Sequence, residues 1–209
     1  MAAHGTAATG LATSRSANFT SSASNARVGA AGEKVLARLL NAHAEHAEIF
    51  HDLRVPGSRV NVDHAVLAGN KLLLIDTKVW KSGTYWGGGD FLFSNFFRHQ
   101  KTSRAVEMAH EAWTKKLAPL GVQVLTPTVV VLTGSQKNAA QKAARRPNAK
   151  TSAILAAIND APGATFLFAT YPGGNLRTPA QLLRQVNRLA NGGRTDDRVV
   201  AVLSEHLTR

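Results

Sequence analysis

The sequence predicts an α/β fold in which a β-sheet is covered by helices on both faces. Apolar residues recur at helical spacing within residues 32–43. Two short apolar strands flank a glycine–asparagine turn within residues 61–80. A continuous β-branched run at residues 128–132 is typical of a strand buried on both faces. Strands that alternate with helices favour a sheet between two helical layers.

The composition indicates one domain. With 209 residues and 44% hydrophobic content, the chain can bury one sizeable core, and we expect residues 27–209 to form it. Residues 1–26 offer little apolar surface, so we expect a disordered segment there. The chain has no cysteine, which excludes disulfides and thiolate chemistry. Because neither a bilayer-spanning apolar run nor a secretory signal is found, we expect a soluble, cytoplasmic protein without a membrane partner.

The charge balance favours an anionic partner. The formal net charge is +12, and positive charge of this size attracts nucleic acid. One run without acidic residues lies at residues 135–150. Its basic side chains are candidates for binding phosphates, namely Lys137, Lys142, Arg145, Arg146 and Lys150. A solvated surface loop explains the same run equally well.

Four segments have the apolar spacing of helices. In the first, residues 32–43, one face carries Val35, Leu36, Leu39 and Leu40. The others are residues 101–117, 181–190 and 199–207. The second helix should end before Pro119 and Gly121, because proline does not continue a helix and glycine favours its end.

The remaining segments fit strands, turns and loops. A turn at Pro56 and Gly57 precedes the strand pair of residues 61–80. The glycine-rich residues 85–90 predict a flexible loop, and residues 164–171 a further strand. Three histidines, His43, His46 and His51, alternate with alanine and glutamate. That pattern is typical of an exposed helix end rather than of a zinc site, which no cysteine completes.

The strand pair places two aspartates opposite each other. A two-residue turn at Gly69 and Asn70 sets Ala68 against Lys71 and, further along, Asp63 against Asp76. Opposed residues have Cβ atoms about 5 Å apart, so two carboxylates there repel each other. By strand alternation one face carries Asp63, Ala65, Leu67, Leu72, Leu74, Asp76 and Lys78. The other face carries Val62, Val66, Leu73 and Ile75.

Three arrangements would relieve this repulsion. The aspartates can share a proton, a hard divalent cation can bind between them, or Lys78 can pair with one of them. Glu33 precedes Leu36 by three residues and Leu40 by seven, in line with the buried face of the first helix. Three carboxylates and one lysine from neighbouring elements are a donor set that suits a metal site.

The set resembles the nuclease-related domain (NERD) of the PD-(D/E)XK nuclease superfamily. The matching residues are Gly32-Glu33, Val62-Asp63, Ile75-Asp76-Thr77-Lys78, Trp80, Gly83 and Arg98-His99-Gln100. The resemblance covers about residues 28–133, and residues 134–209 are a C-terminal extension. It implies a restriction-endonuclease-like core, with a mixed central sheet flanked by helices in the order αβββαβ.

The resemblance also implies an activity, a DNA nuclease that hydrolyses phosphodiester bonds with Mg²⁺ or Mn²⁺. Its catalytic residues would be Glu33, Asp63, Asp76, Lys78 and Gln100. The metal ligands would be Glu33, Asp63, Asp76 and the carbonyl of Thr77. Lys78 would either remain charged beside the phosphate or act as a base.

A second function fits the same residues. The chain could be a non-catalytic nucleic-acid-binding module that acts with a helicase or another replication or repair protein. The sequence leaves RNA open as a further substrate, and cutting of both DNA strands with one site per chain would call for a homodimer.

Overall fold

The computed structural model describes residues 1–8, 20–41, 44–81, 85–88, 91–94, 97–99, 104–134, 157–161, 164–170, 188–189 and 193–208. The first half contains β1 (Ala3–His4), α1 (Thr20–Asn41), β2 (Glu48–Arg54), β3 (Asn61–Ala68), β4 (Lys71–Lys81), β5 (Tyr85–Gly88), β6 (Phe91–Ser94) and β7 (Phe97–His99). The second half contains α2 (Arg104–Leu117), a 3₁₀ turn (Ala118–Leu120), β8 (Gln123–Val124), β9 (Thr128–Gly134), β10 (Ala157–Ala161), β11 (Ala164–Thr170) and α3 (Asp197–Ser204).

The main sheet is mixed, as predicted. Its strand order is β1-β2-β3-β4-β9-β11-β10, and β8 also pairs with β4. Strand β3 is antiparallel to both β2 and β4, whereas β9 runs parallel to β4 and to β11. Together with α1 and α2 this gives the order αβββαβ of a restriction-endonuclease-like core.

Two apolar layers cover the sheet, one under each long helix. The α1 layer contains Leu36, Leu40, Ile49, Val66, Leu73, Ile75 and Val130. The α2 layer contains Ala109, Trp113 and Leu117 together with Phe50, Leu67, Leu72 and Leu74. These are the alternating residues of β3 and β4, so strand alternation explains why the sheet is buried on both sides.

Two parts of the N-terminal segment, which the sequence predicts to be disordered, have regular secondary structure. Helix α1 begins at Thr20 rather than near residue 32, although the serine, threonine, asparagine and glycine residues of its first half have low helix propensity. Ahead of it, β1 pairs in parallel with β2, and the Ile49 N–H donates to the Ala2 carbonyl at 2.9 Å. The short strand satisfies backbone groups of β2 that would otherwise form an open sheet edge.

The glycine-rich segment also differs from the prediction. Residues 85–90 were expected to be a loop, but Tyr85–Gly88 is a strand. It pairs with Phe91–Ser94, which in turn pairs with Phe97–His99, and the three strands form a second antiparallel sheet. Backbone pairing between neighbouring strands overrides the weak strand propensity of glycine.

The predicted second half is largely confirmed. Helix α2 ends at Leu117, and Gly121 caps the following turn with a left-handed φ of 68°. Strands β9 and β11 lie where they were predicted. Helix α3 begins after Asp196, whose side chain accepts the Arg198 N–H. Of the helix predicted at residues 181–190, only residues 188–189 are described.

The C-terminal residues contribute to the same core as the matched strands. Val199 and Leu203 of α3 are buried with Trp113 of α2 in one apolar cluster. Leu207 forms a β-bridge with Leu53 of β2. Within the described residues, no helix is both long enough and apolar enough to cross a membrane.

Candidate active site

The β3–β4 hairpin has the predicted register as far as His64 and Ile75, and its ladder ends before the predicted pair of Asp63 and Asp76. The paired residues are Ala68 and Lys71, Leu67 and Leu72, Val66 and Leu73, Ala65 and Leu74, and His64 and Ile75. One step beyond the last pair, the Asp63 Oδ2 atom accepts the Thr77 backbone N–H at 2.6 Å. The Asp63 side chain therefore takes over from the backbone ladder at the point where β4 begins to pair with β9.

The pleat is interrupted beside Asp63. On the β2 side, His51 pairs with His64 and Leu53 with Val62, and the register skips Asp52 and Asp63 between them. Asp52 has a left-handed φ of 59°. Val62 consequently lies in the α2 layer with Ala65 and Leu67, so its predicted place on the opposite face is wrong.

Asp76 and Lys78 form an ion pair on β4. The Lys78 Nζ atom lies 2.9 Å from Asp76 Oδ1, to which it donates a hydrogen bond, and 2.8 Å from Oδ2. The Asp76 side chain is 12% exposed and the Lys78 side chain 36%. Buried Oδ2 receives no directed hydrogen bond from the described residues. The structure thus contains the third of the three predicted arrangements, in which lysine offsets one carboxylate.

Burial and like charge act together on the carboxylates. Burial raises the pKa of Glu33 to about 7, with Asp52 and Asp76 adding to the rise and Lys78 opposing it. Burial likewise raises the pKa of Asp63 well above its ordinary value, assisted by Asp76 and Glu33. The pKa of Asp76 is raised by burial against the opposing charge of Lys78. The predicted carboxylates therefore influence one another electrostatically.

Lys78 is the counter-charge of this cluster. Burial alone would lower its pKa, but the carboxylates of Asp76, Asp63 and Glu33 outweigh burial and raise the pKa above its ordinary value. An ammonium with a raised pKa stays protonated at neutral pH. Lys78 accordingly provides a fixed positive charge at the site.

Two residues around Glu33 were not predicted from the sequence. Asp52 is buried and exerts the largest charge effect on Glu33, and its Oδ1 atom accepts Asn61 Nδ2 at 2.7 Å. The backbone N–H of Ala8 donates a hydrogen bond to the Glu33 carboxylate. An aspartate among the apolar residues of "IFHDLRV" was the available signal for Asp52. No local pattern marks Ala8.

A buried pair of histidines lies next to the site. His51 is on β2 and 3% exposed, so its predicted place at an exposed helix end is wrong, whereas His46 is exposed as expected. Its Nε2 atom lies 2.8 Å from Asn41 Oδ1, and its Nδ1 atom lies 2.9 Å from His64 Nδ1. Because the amide oxygen only accepts, His51 donates through Nε2 and accepts from His64 through Nδ1. Burial lowers the pKa of His51 to about 4.

The candidate ligands are of the types that a hard cation prefers, but their present arrangement does not suit one. Within the described ranges, no group of three or more histidine, aspartate or glutamate side chains is arranged to hold a metal ion. The set nevertheless consists of oxygen donors that repel one another, and it includes the buried Asp76 Oδ2 atom. Mg²⁺ and Mn²⁺ prefer such oxygens. The residues therefore match a divalent cation in the chemistry of their donor atoms, whereas their described arrangement does not form a metal site.

A model of the nuclease-related domain matches residues 28–133, half of the 209-residue chain. The chain belongs to the nuclease-related domain family. This family is part of the PD-(D/E)XK-like nuclease class. No curated protein and no solved structure matches the chain.

The matched nuclease-related domain contains Glu33, Asp63, Asp76, Thr77 and Lys78. It also spans Gln100, which lies outside the described residues, as do the basic residues at 137–150. The β1 strand and α3 both lie outside the match, although β1 pairs with β2 and Leu207, just after α3, bridges to it. The matched region and the segments that flank it in the chain therefore meet at one strand.

Proposed function

We propose that this nuclease-related domain hydrolyses DNA phosphodiester bonds with the help of Mg²⁺ or Mn²⁺. The supporting observation is the cluster of three carboxylates around one ammonium. Glu33 comes from α1, Asp63 from β3, and Asp76 and Lys78 from β4. Burial raises the pKa of each carboxyl group, so three negative charges are unfavourable there unless positive charge offsets them.

The carboxylates would hold the cation. Asp63 and Asp76 would be the primary ligands, Glu33 would bind directly or through water, and the Thr77 carbonyl would complete the set. When bound, a divalent cation lowers the pKa of a water molecule and neutralises charge on the phosphate and the leaving oxygen. Gln100, by its place in the family pattern, would hydrogen-bond near the reacting groups.

Lys78 would act through its charge. Its raised pKa keeps the ammonium protonated at neutral pH, which favours electrostatic stabilisation of the phosphate over removal of a proton from water. In the structure the Lys78 ammonium is paired with Asp76. Release of Asp76 to a cation would free the ammonium to contact the substrate phosphate.

Cleavage of supercoiled plasmid with Mg²⁺, with Mn²⁺ and with EDTA tests the proposal. Asp76→Asn and Lys78→Ala should each reduce cutting by roughly a hundredfold or more, because each removes a group that acts on the transition state. The matched controls are Asp197→Asn, at an 89% exposed carboxylate, and Lys71→Ala, at the exposed start of β4. Full cutting by purified Asp76→Asn protein would overturn the site.

The alternative is a nucleic-acid-binding module that acts with a DNA-processing partner. The Asp76–Lys78 ion pair favours this alternative, because the lysine offsets the charge of one carboxylate without a cation. Wild-type protein that binds DNA with salt-dependent affinity but leaves plasmid uncut in both Mg²⁺ and Mn²⁺ would support it. Measuring binding and cleavage on the same substrates, including single-stranded DNA and RNA, separates the two functions.

A further inference from the structure

Residues 2–8, here called the strap, follow the edge of β2 and lie outside the region that matches the family. Ala3 pairs with Ile49 and His4 with Phe50 in parallel register. The His4 ring stacks on the Phe50 ring, with 4.8 Å between ring centroids. Backbone and ring contacts therefore both attach the strap to the sheet.

Glu48, the first residue of β2, secures the start of the strap. Its Oε2 atom accepts the Ala2 N–H at 2.9 Å and lies 2.7 Å from His4 Nε2. The side chain of Glu48 is 12% exposed, so water competes little for these bonds. One largely buried carboxylate thus fixes two residues of the strap.

Gly5 carries the strap across β2 at a close approach. It has a φ of +76°, and a Cβ atom there would lie 2.5 Å from the His51 carbonyl oxygen and 3.0 Å from Leu207 Cδ2. The obstructing oxygen belongs to backbone and cannot move aside cheaply. Only glycine fits this position without displacing the strap.

The strap ends against Glu33. Ala8 is 7% exposed, and its N–H donates to the Glu33 carboxylate. Among the described residues, Ala8 and Asp52 are the non-glycine residues with positive φ, at 68° and 59°. Both act on Glu33, one by a hydrogen bond and the other by its charge. Strained backbone that converges on one side chain indicates a functional constraint.

We propose that the strap positions Glu33 for catalysis, with Ala8 as the positioning residue. Glu48, β1 and Gly5 hold the strap on β2, and the Ala8 N–H then fixes the direction of the Glu33 carboxylate. A partner that orients a metal-binding group typically changes metal affinity or activity by about 10- to 100-fold. The inference rests on the proposed nuclease function and extends it to residues outside the family match.

Amide hydrogen exchange tests the contact without reference to activity. In metal-free protein the Ala8 amide should be protected, and Glu33→Ala should raise its exchange rate at least tenfold because the acceptor is removed. Asp76→Ala serves as the matched control, since it removes a neighbouring carboxylate and leaves the Ala8 acceptor in place. Equal protection in wild type and in Glu33→Ala would refute the contact.

Kinetics test the positioning role. Gly5→Ala should raise the Mn²⁺ concentration for half-maximal plasmid cleavage by about 10-fold or more. Gly57→Ala is the matched control, because Gly57 also has a positive φ, +70°, but nothing lies within 4 Å of an added Cβ. It should leave the Mn²⁺ requirement unchanged. Added to Glu33→Gln, Gly5→Ala should have no further effect if the strap acts through Glu33.

The outcomes separate this inference from the proposed function. Cleavage that depends on Asp76 but is unaltered by Gly5→Ala would refute the strap and leave the nuclease intact. An inactive wild type would refute the nuclease function. Calorimetric measurement of Mn²⁺ binding would then test whether the strap positions Glu33. Binding weakened by Gly5→Ala and not by Gly57→Ala would support it, whereas equal binding in both would refute it.

Discussion

The burial of Glu33 could be predicted from the sequence, whereas the residues that surround it could not. Its spacing from Leu36 and Leu40 placed it toward the buried face, and it is 7% exposed. Asp52 and Ala8 influence it from segments far apart in the chain. A positive φ at an alanine leaves no trace in the sequence, because alanine has no preference for that conformation. Only the assembled fold identifies these two neighbours.

The raised pKa of Glu33 predicts that metal-free protein loses stability as pH rises. The folded state holds a proton that the unfolded state releases, so this contribution is complete below pH 4.5 and is lost as pH rises toward 7. The loss is on the order of 3 kcal/mol. Urea unfolding in EDTA at several pH values measures it, and Glu33→Gln should make the decline shallower. An identical decline in that variant would contradict the assignment.

His51 limits the stability of the protein at low pH. Its pKa falls from 6.5 to about 4 on folding, so its contribution is present above pH 6.5 and is lost as pH falls toward 4. The two residues together predict that metal-free protein is most stable between about pH 5 and 6. Added Mg²⁺ should restore stability on the alkaline side, because it replaces the missing protons.

At the scale of elements, the hairpin was predictable and the strand beside it was not. The turn at Gly69 and Asn70 together with alternating apolar residues determined the β3–β4 register pair by pair. Strand β2 was missed because His51 and Asp52 interrupt its apolar residues. These polar side chains are buried through partners on other elements, Asn41 and Asn61, which local pattern does not contain.

The chain of hydrogen bonds from Asn41 through His51 to His64 joins the end of α1 to β2 and β3. Asn41→Ala should therefore lower the free energy of unfolding by about 1 to 3 kcal/mol, because the His51 Nε2–H loses its acceptor. Thermal and urea unfolding measure the loss. His46→Ala, at an exposed histidine, is the control and should change stability by less than about 0.5 kcal/mol. Equal stability of the two variants would contradict the network.

At the scale of the whole molecule, charge and fold give separate information. The order αβββαβ and both long helices followed from pattern and family resemblance, whereas the strap and the second sheet did not. Both exceptions depend on pairing between segments, β1 with β2 and β5 with β6, because the alanine of β1 and the glycines of β5 have weak strand propensity. The net charge of +12 says nothing about fold, but it predicts that the protein binds nucleic acid with an affinity that depends on salt.

Neutralising the basic residues between 137 and 150 should weaken this binding more than removing the same charge elsewhere. Changing Lys137, Lys142, Arg145, Arg146 and Lys150 to glutamine should reduce the slope of log affinity against log salt by about 0.9 for each phosphate that the protein no longer neutralises. The control removes the same charge from exposed positions, namely Arg54, Arg59, Lys71, Lys115 and Lys116. Fluorescence anisotropy over a salt series compares the two variants. Equal slopes would exclude residues 137–150 from the interface.

The placement of Lys78 on the same hairpin as both aspartates also bears on how the chain folds. Strands β3 and β4 are neighbours in sequence and can meet early, whereas the parallel ladder with β9 needs a long crossover and forms later. We therefore expect the two acids to come together before the rest of the sheet forms. Because their counter-charge arrives with them, the hairpin can close without waiting for an ion from solution.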